Sequence, residues 1–198
     1  MAVTTMPEES SGHPVQFSVA YPDQLSRGLI FVKWLLVIPH FIVLYFLNLA
    51  FMLVTLVAFF AILFTAKYPE GLFKFAVGTR RWYANVCAYT FLLRDEYPPF
   101  SLDEGQYPVV LTVDRSETMN RFLPLIKWLL VIPSLIVVAV LLVVALFVTI
   151  IAWFAILFTG KYPEGMFRFV VGTLRWNERA NLYAYLATDA YPPFSLDP

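Results

Sequence analysis

Phe64-Thr65-Ala66-Lys67-Tyr68-Pro69-Glu70-Gly71-Leu72-Phe73-Lys74-Phe75 decides how this chain is read. An apolar run ends at its start, and aromatic and basic residues mix towards its end. The stretch returns as Phe158-Thr159-Gly160-Lys161-Tyr162-Pro163-Glu164-Gly165-Met166-Phe167-Arg168-Phe169. Such a junction is expected where a membrane helix meets lipid headgroups. Thr65 or Thr159 closes the apolar run, and Lys67-Tyr68 or Lys161-Tyr162 anchors at headgroup level. Pro69-Glu70 or Pro163-Glu164 then opens a new helix, with proline in its first turn and the acid at the positive end of its dipole.

Outward from the junction the whole chain repeats. Residues 15–104 align with 109–198 at a constant offset of 94, without gaps, and about half of the aligned pairs are identical. A duplication of this kind has to be recognised before any fold is assigned. Residues 1–14 read as a disordered N-terminal tail, 15–104 and 109–198 as two membrane repeats, and 105–108 as a short linker. The tail lacks the basic start and apolar core of a secretory signal, so the first apolar run is expected to serve as an uncleaved anchor.

The block K-Y-P-E-G-x-F-[KR]-F-x-V-G-T, then R-W and later Y-P-P-F-S-L, occurs in both halves. It resembles an uncharacterised bacterial membrane-protein family known only as a domain of unknown function. The resemblance covers nearly the whole chain after Pro14. It implies class and location, and brings no activity and no site residue with it.

Composition agrees with lipid as the main solvent. Hydrophobic residues make up 60 % and charged residues 14 %, against about a quarter charged in soluble domains; mean hydropathy is +0.69. The formal net charge is zero, so no global field draws in nucleic acid. The one cysteine, Cys87, excludes an intrachain disulfide.

Each repeat opens on an alternating segment, Val15, Phe17 and Val19 or Val109, Leu111 and Val113, with the period of a strand. The two strands are expected to pair as a ribbon, within the chain or across a dimer. Apolar runs follow over residues 28–65 and 122–159, each nearly twice the ~20 residues that span a bilayer. All fourteen Lys and Arg lie outside residues 34–66 and 128–160, flanking both ends of each run. A helical hairpin would place every cation on the cytoplasmic side, and is favoured on that ground. Against it, Asn48 could mark a turn in the first repeat, but its counterpart Leu142 sits in a stretch with no turn chemistry. The alternative bends at Pro39 and Pro133 and crosses once per repeat, as an inverted pair.

After the junction, Leu72, Phe75, Thr79, Trp82, Val86 and Tyr89 share one helical face. Lys74, Gly78, Arg81 and Asn85 share another, matched by Arg168, Gly172, Arg175 and Arg179. Aromatic and basic content at this spacing reads as an amphipathic helix lying in the membrane interface, and the glycines as a close approach by another helix. The fold expected is therefore an all-α integral membrane protein. Each of its tandem repeats holds a short strand, a long proline-kinked transmembrane run and an interfacial helix. The candidate lipid contacts are Lys33, Trp34, Lys67, Tyr68, Lys74, Arg81 and Trp82, and in the second repeat Lys127, Trp128, Lys161, Tyr162, Arg168, Arg175, Trp176 and Arg179. Lys33 and Lys127 are expected to snorkel.

No glycine-rich phosphate loop, metal-spaced His/Cys set or nucleophile elbow is present. Glu70 and Glu164 could act as paired acids only if the repeats brought them together. His40 follows a proline inside the apolar run. Its expected task is to satisfy a freed carbonyl, and Ser134 at the matching position argues against a shared role. No catalytic residue, cofactor or metal is expected. The function expected is that of a non-enzymatic scaffold or accessory subunit of a membrane assembly, in the inner membrane with its basic segments cytoplasmic. Its expected partners are membrane lipids and either a second copy or another membrane protein, with no nucleic acid. A two-repeat channel or transporter is the alternative, and an interfacial lipid-modifying enzyme the third.

Overall fold

The computed structural model describes residues 12–198, so the expected tail falls almost entirely outside the described residues. Strand β1 (Val15–Val19) leads through a 3-10 turn at Leu29–Phe31 into α1 (Lys33–Leu36), α2 (Ile38–Thr65) and α3 (Glu70–Thr90). The second repeat supplies β2 (Val109–Val113), α4 (Leu123–Leu130), α5 (Ile132–Thr159) and α6 (Glu164–Ala184). The chain is thus mostly helical, with two tandem repeats and a minor pair of five-residue strands.

The hairpin expectation is overturned. α2 and α5 each run 28 residues without a break, about 42 Å at 1.5 Å per residue. Leu, Val, Ala and Phe carry the helix through Asn48 and Leu142, because nothing there competes for the backbone. Cations that flank an apolar run need not face a headgroup. Lys33, Arg80, Lys127, Arg175 and Arg179 are buried, so they carry no information about sidedness. Within Lys33–Thr65 and Leu123–Thr159, among the described residues, the helix loosens at Val37 (φ −81°, ψ −16°) and at Val131 (φ −77°, ψ −17°). Pro39 and Pro133 follow as the second residue of the long helix, where a missing N–H costs least. Both long segments are apolar and long enough to cross a membrane.

The junction behaves as a joint, and couples the repeats. Ala66 and Gly160 end α2 and α5 in the left-handed conformation, at φ 58° and 73°. The Ala66 carbonyl accepts the Met119 N–H, and the Gly160 carbonyl accepts the Leu25 N–H, both at 2.8 Å. Each long helix therefore finishes beside the segment that leads into the other one. Phe31 also meets Trp153 edge-on, 5.0 Å between centroids. α2 and α5 consequently run antiparallel. Left-handed backbone penalises a Cβ by roughly 1–2 kcal/mol. Ala66→Gly is thus expected to raise stability by up to about 1 kcal/mol and Gly160→Ala to lower it by a similar amount. Thermal melts in detergent would check both signs.

β1 and β2 pair antiparallel within the chain, Val15 opposite Val113 and Val19 opposite Val109. The flanking bonds Ala20 N–H to Pro108 O and Asp114 N–H to Pro14 O assign the even-numbered residues to the hydrogen-bonded pairs, so the odd-numbered carbonyls point out of the ladder. β1 packs on α6 and β2 on α3, while α2 packs on α3 and α5 on α6. α3 and α6 are therefore the middle layer, between ribbon and long helices, and not interfacial helices. Val77, Ala84 and Ala88 of α3, with Val170, Leu174 and Leu182 of α6, lie in the main core.

Candidate functional site

The polar groups gather in three places, and the first occurs twice. Lys33 Nζ lies 2.7 Å from Asp95 Oδ1, donates to Arg94 O at 2.7 Å and stands 4.9 Å from the centre of the Tyr89 ring. Lys127 repeats this with Asp189 at 2.7 Å, Thr188 O at 2.7 Å and Tyr183 at 4.9 Å. Both ammonium groups are buried, so the snorkelling expectation is corrected: each lysine is held inside by a carboxylate, a carbonyl and an aromatic face. The same aspartates accept the Ser26 N–H and the Asn120 N–H, tying the entry loop of each long helix to the end of the next helix. The sequence carried a signal for this. Between positions 90 and 96 the repeats match only at Leu92 and Asp95, opposite Leu186 and Asp189.

The second cluster joins the repeats. Arg80 of α3 makes a two-pronged contact to Glu178 of α6, Nε to Oε2 at 2.9 Å and Nη2 to Oε1 at 2.8 Å, and its guanidinium covers the Tyr83 ring at 4.7 Å. Neither partner is duplicated, since Leu174 and Ala84 stand at the matching positions. A charge gained in each repeat, four positions apart, was the signal available.

The third cluster closes the ribbon. Arg175 Nε donates to Phe17 O at 2.8 Å, Arg179 Nε to Val15 O at 3.3 Å and Arg81 Nε to Leu111 O at 3.2 Å. These are outward-pointing strand carbonyls, so the arginines occupy the exposed edges that a two-stranded ribbon would otherwise offer to other chains. Arg81 and Arg175 also donate to Leu102 O and Leu196 O at 2.9 Å. Their expected role at the headgroups is corrected accordingly.

Each Y-P-P-F-S-L arm folds back onto its own repeat. The Tyr97 and Tyr191 hydroxyls donate to Leu36 O at 3.1 Å and Leu130 O at 3.2 Å, just before each loosened turn. His40 stacks on Phe100 with centroids 4.0 Å apart. His40 Nδ1 accepts from the Trp82 indole at 3.0 Å, and Ser134 Oγ accepts from the Trp176 indole at 2.9 Å. The two residues therefore share a role after all, as acceptors for a buried tryptophan. The close approach at Gly78 and Gly172 comes from the arms and not from a helix. A Cβ on Gly78 would lie 2.9 Å from Leu102 Cβ, and one on Gly172 2.7 Å from Leu196 O. Gly172→Ala should cost about 1–3 kcal/mol, the usual range for overpacking, with Gly78→Ala somewhat less; unfolding midpoints of the two variants would show the order.

The fifteen candidate lipid contacts thus separate. Tyr68, Tyr162, Trp82 and Trp176 are buried with Lys33, Lys127, Arg175 and Arg179, and Arg81 is nearly so. Trp34, Trp128, Lys67, Lys74, Lys161 and Arg168 are exposed. Glu70 and Glu164 each pair with the cation four residues on, Lys74 at 2.6 Å and Arg168 at 3.5 Å. Among the described residues no group of three or more His, Cys, Asp or Glu could hold a metal. A shallow apolar depression of about 480 Å³ lies on the outer side of α2, lined by Ile38, Phe41, Ile42, Tyr45 and Phe46. The long helices bury only a narrow stripe, His40, Leu44, Phe51, Ala58 and Ile62 in α2, and leave a broad apolar face outward along their whole length.

No curated protein and no solved structure matches the chain. A family model matches it twice, over residues 27–101 and 124–195, from the entry to each long helix through its arm. The chain therefore belongs, as a tandem pair, to the family described as a domain of unknown function, DUF4389.

Proposed function

We propose that the chain is a non-enzymatic membrane protein that serves as a scaffold or accessory subunit of an inner-membrane assembly. One observation carries this reading. α2 and α5 turn broad apolar faces outward, whereas the main charged clusters neutralise one another inside the fold. Groups so engaged serve positioning and leave no acid or base poised for chemistry. The pairing of Lys33 and Lys127 with aspartates supports anchoring over transport. The exposed Lys67, Lys74, Lys161 and Arg168 are suited to anionic headgroups, each contributing about 1 kcal/mol near the surface. The basic ends face the cytoplasm in this reading. Extraction in mild detergent with in-cell crosslinking tests it: a stable oligomer or a co-purifying membrane protein is expected, and a monomer without partners would overturn it.

A further inference from the structure

We infer that α2 and α5 lie along the membrane plane, seated in one leaflet of anionic lipid, and do not cross it. The inference rests on the membrane reading above and fixes its geometry. The layer order is the first ground. The ribbon packs on α3 and α6 near their midpoints, where Arg81 and Arg175 reach its carbonyls. α3 in turn lies alongside α2, with Lys33 near the end of α3 and His40 against Trp82. A membrane crossed by α2 would therefore have the ribbon and arms at hydrocarbon depth. In and beside the ribbon and first arm, Gln16, Asp103, Glu104, Gln106 and Asp114 are exposed. Exposed charge of this kind is not found in hydrocarbon. With the helices flat, all of these face water.

Charge placement is the second ground. Every end of the two long segments carries an exposed cation: Arg27 and Arg121 at the entries, Lys67 and Lys161 at the exits. Because α2 and α5 are antiparallel, crossing would divide these cations between two aqueous sides. A flat seat keeps all four at one headgroup surface, with the apolar stripe between them. It reconciles the one-sided charge that favoured a hairpin with helices that do not turn.

The test places single cysteines at the ends (Arg27→Cys, Lys67→Cys, Arg121→Cys, Lys161→Cys) and at outward mid-helix positions (Leu53→Cys, Phe147→Cys). Cys87 stays in place, since burial pushes its thiol up to about 12 and slows its reaction; the parent protein sets the background. Inverted and right-side-out vesicles are treated with an impermeant maleimide. All four ends should label from the cytoplasmic side only. Bimane on the mid-helix cysteines should be quenched most by lipids brominated near the headgroup. Labelling of Arg27→Cys and Lys161→Cys from one side, and of Lys67→Cys and Arg121→Cys from the other, would overturn the inference and leave the membrane reading intact. Loss of vesicle association, with Leu53→Cys and Phe147→Cys open to the aqueous reagent, would overturn both.

Discussion

Glu178→Ala is expected to cost about 3–5 kcal/mol, because it strands the Arg80 guanidinium inside the protein. The side chains of Arg80 and Glu178 are only 9 % and 2 % exposed, so water cannot readily replace the lost carboxylate. For a chain of this length that corresponds to a fall in melting temperature of roughly 6–20 °C. The duplication supplies the control. Under the pseudo-twofold, Leu174 and Ala84 occupy the positions matching Arg80 and Glu178, and both are buried in the core. Arg80→Leu with Glu178→Ala recreates that apolar pair on the other side of the axis. Removing both charges together avoids the stranded ion, and the double variant should lie within about 2 kcal/mol of the parent. A double variant no more stable than Glu178→Ala would mean that lost volume, not an unpaired charge, sets the cost.

The repeat, the strand pair, the helix starts at Pro69 and Pro163 and the long helical runs were all legible, because each rests on local pattern. Local pattern could not say where the cations point. An arginine beside aromatic residues looks the same whether a phosphate or a strand carbonyl completes it. Arg175 and Arg179 find theirs on β1, some 160 residues away in sequence. The same limit hid Asp95 and Asp189, whose lysine partners are 62 positions earlier. His40 and Ser134 were misjudged for another reason. Comparing side-chain chemistry suggested different tasks, but a tryptophan N–H can donate to either an imidazole nitrogen or a hydroxyl oxygen. The flat charge pattern misled about topology because it counted cations without asking which were already neutralised inside.

Asp189→Ala should be the next most damaging change, at about 3 kcal/mol, and more damaging than Lys127→Met. The two partners of this ion pair are not equally buried: the Lys127 side chain is 0 % exposed and that of Asp189 29 %. Losing the aspartate leaves an ammonium group with only the Thr188 carbonyl and the Tyr183 ring, far short of what water would supply. It also frees the Asn120 N–H at the entry to the second long helix. Losing the lysine leaves a carboxylate that can rehydrate at the surface, and methionine refills the apolar stem, so a cost of about 1 kcal/mol is expected. The first repeat should follow the same order, Asp95→Ala worse than Lys33→Met, since its side-chain exposures are 25 % and 2 %. Denaturant midpoints in one detergent would decide it. Equal losses for the lysine and aspartate variants would show that the attraction itself, and not the stranded charge, governs these sites. A smaller loss for Asp189→Ala than for Lys127→Met would mean that the ammonium reaches water when its partner is gone.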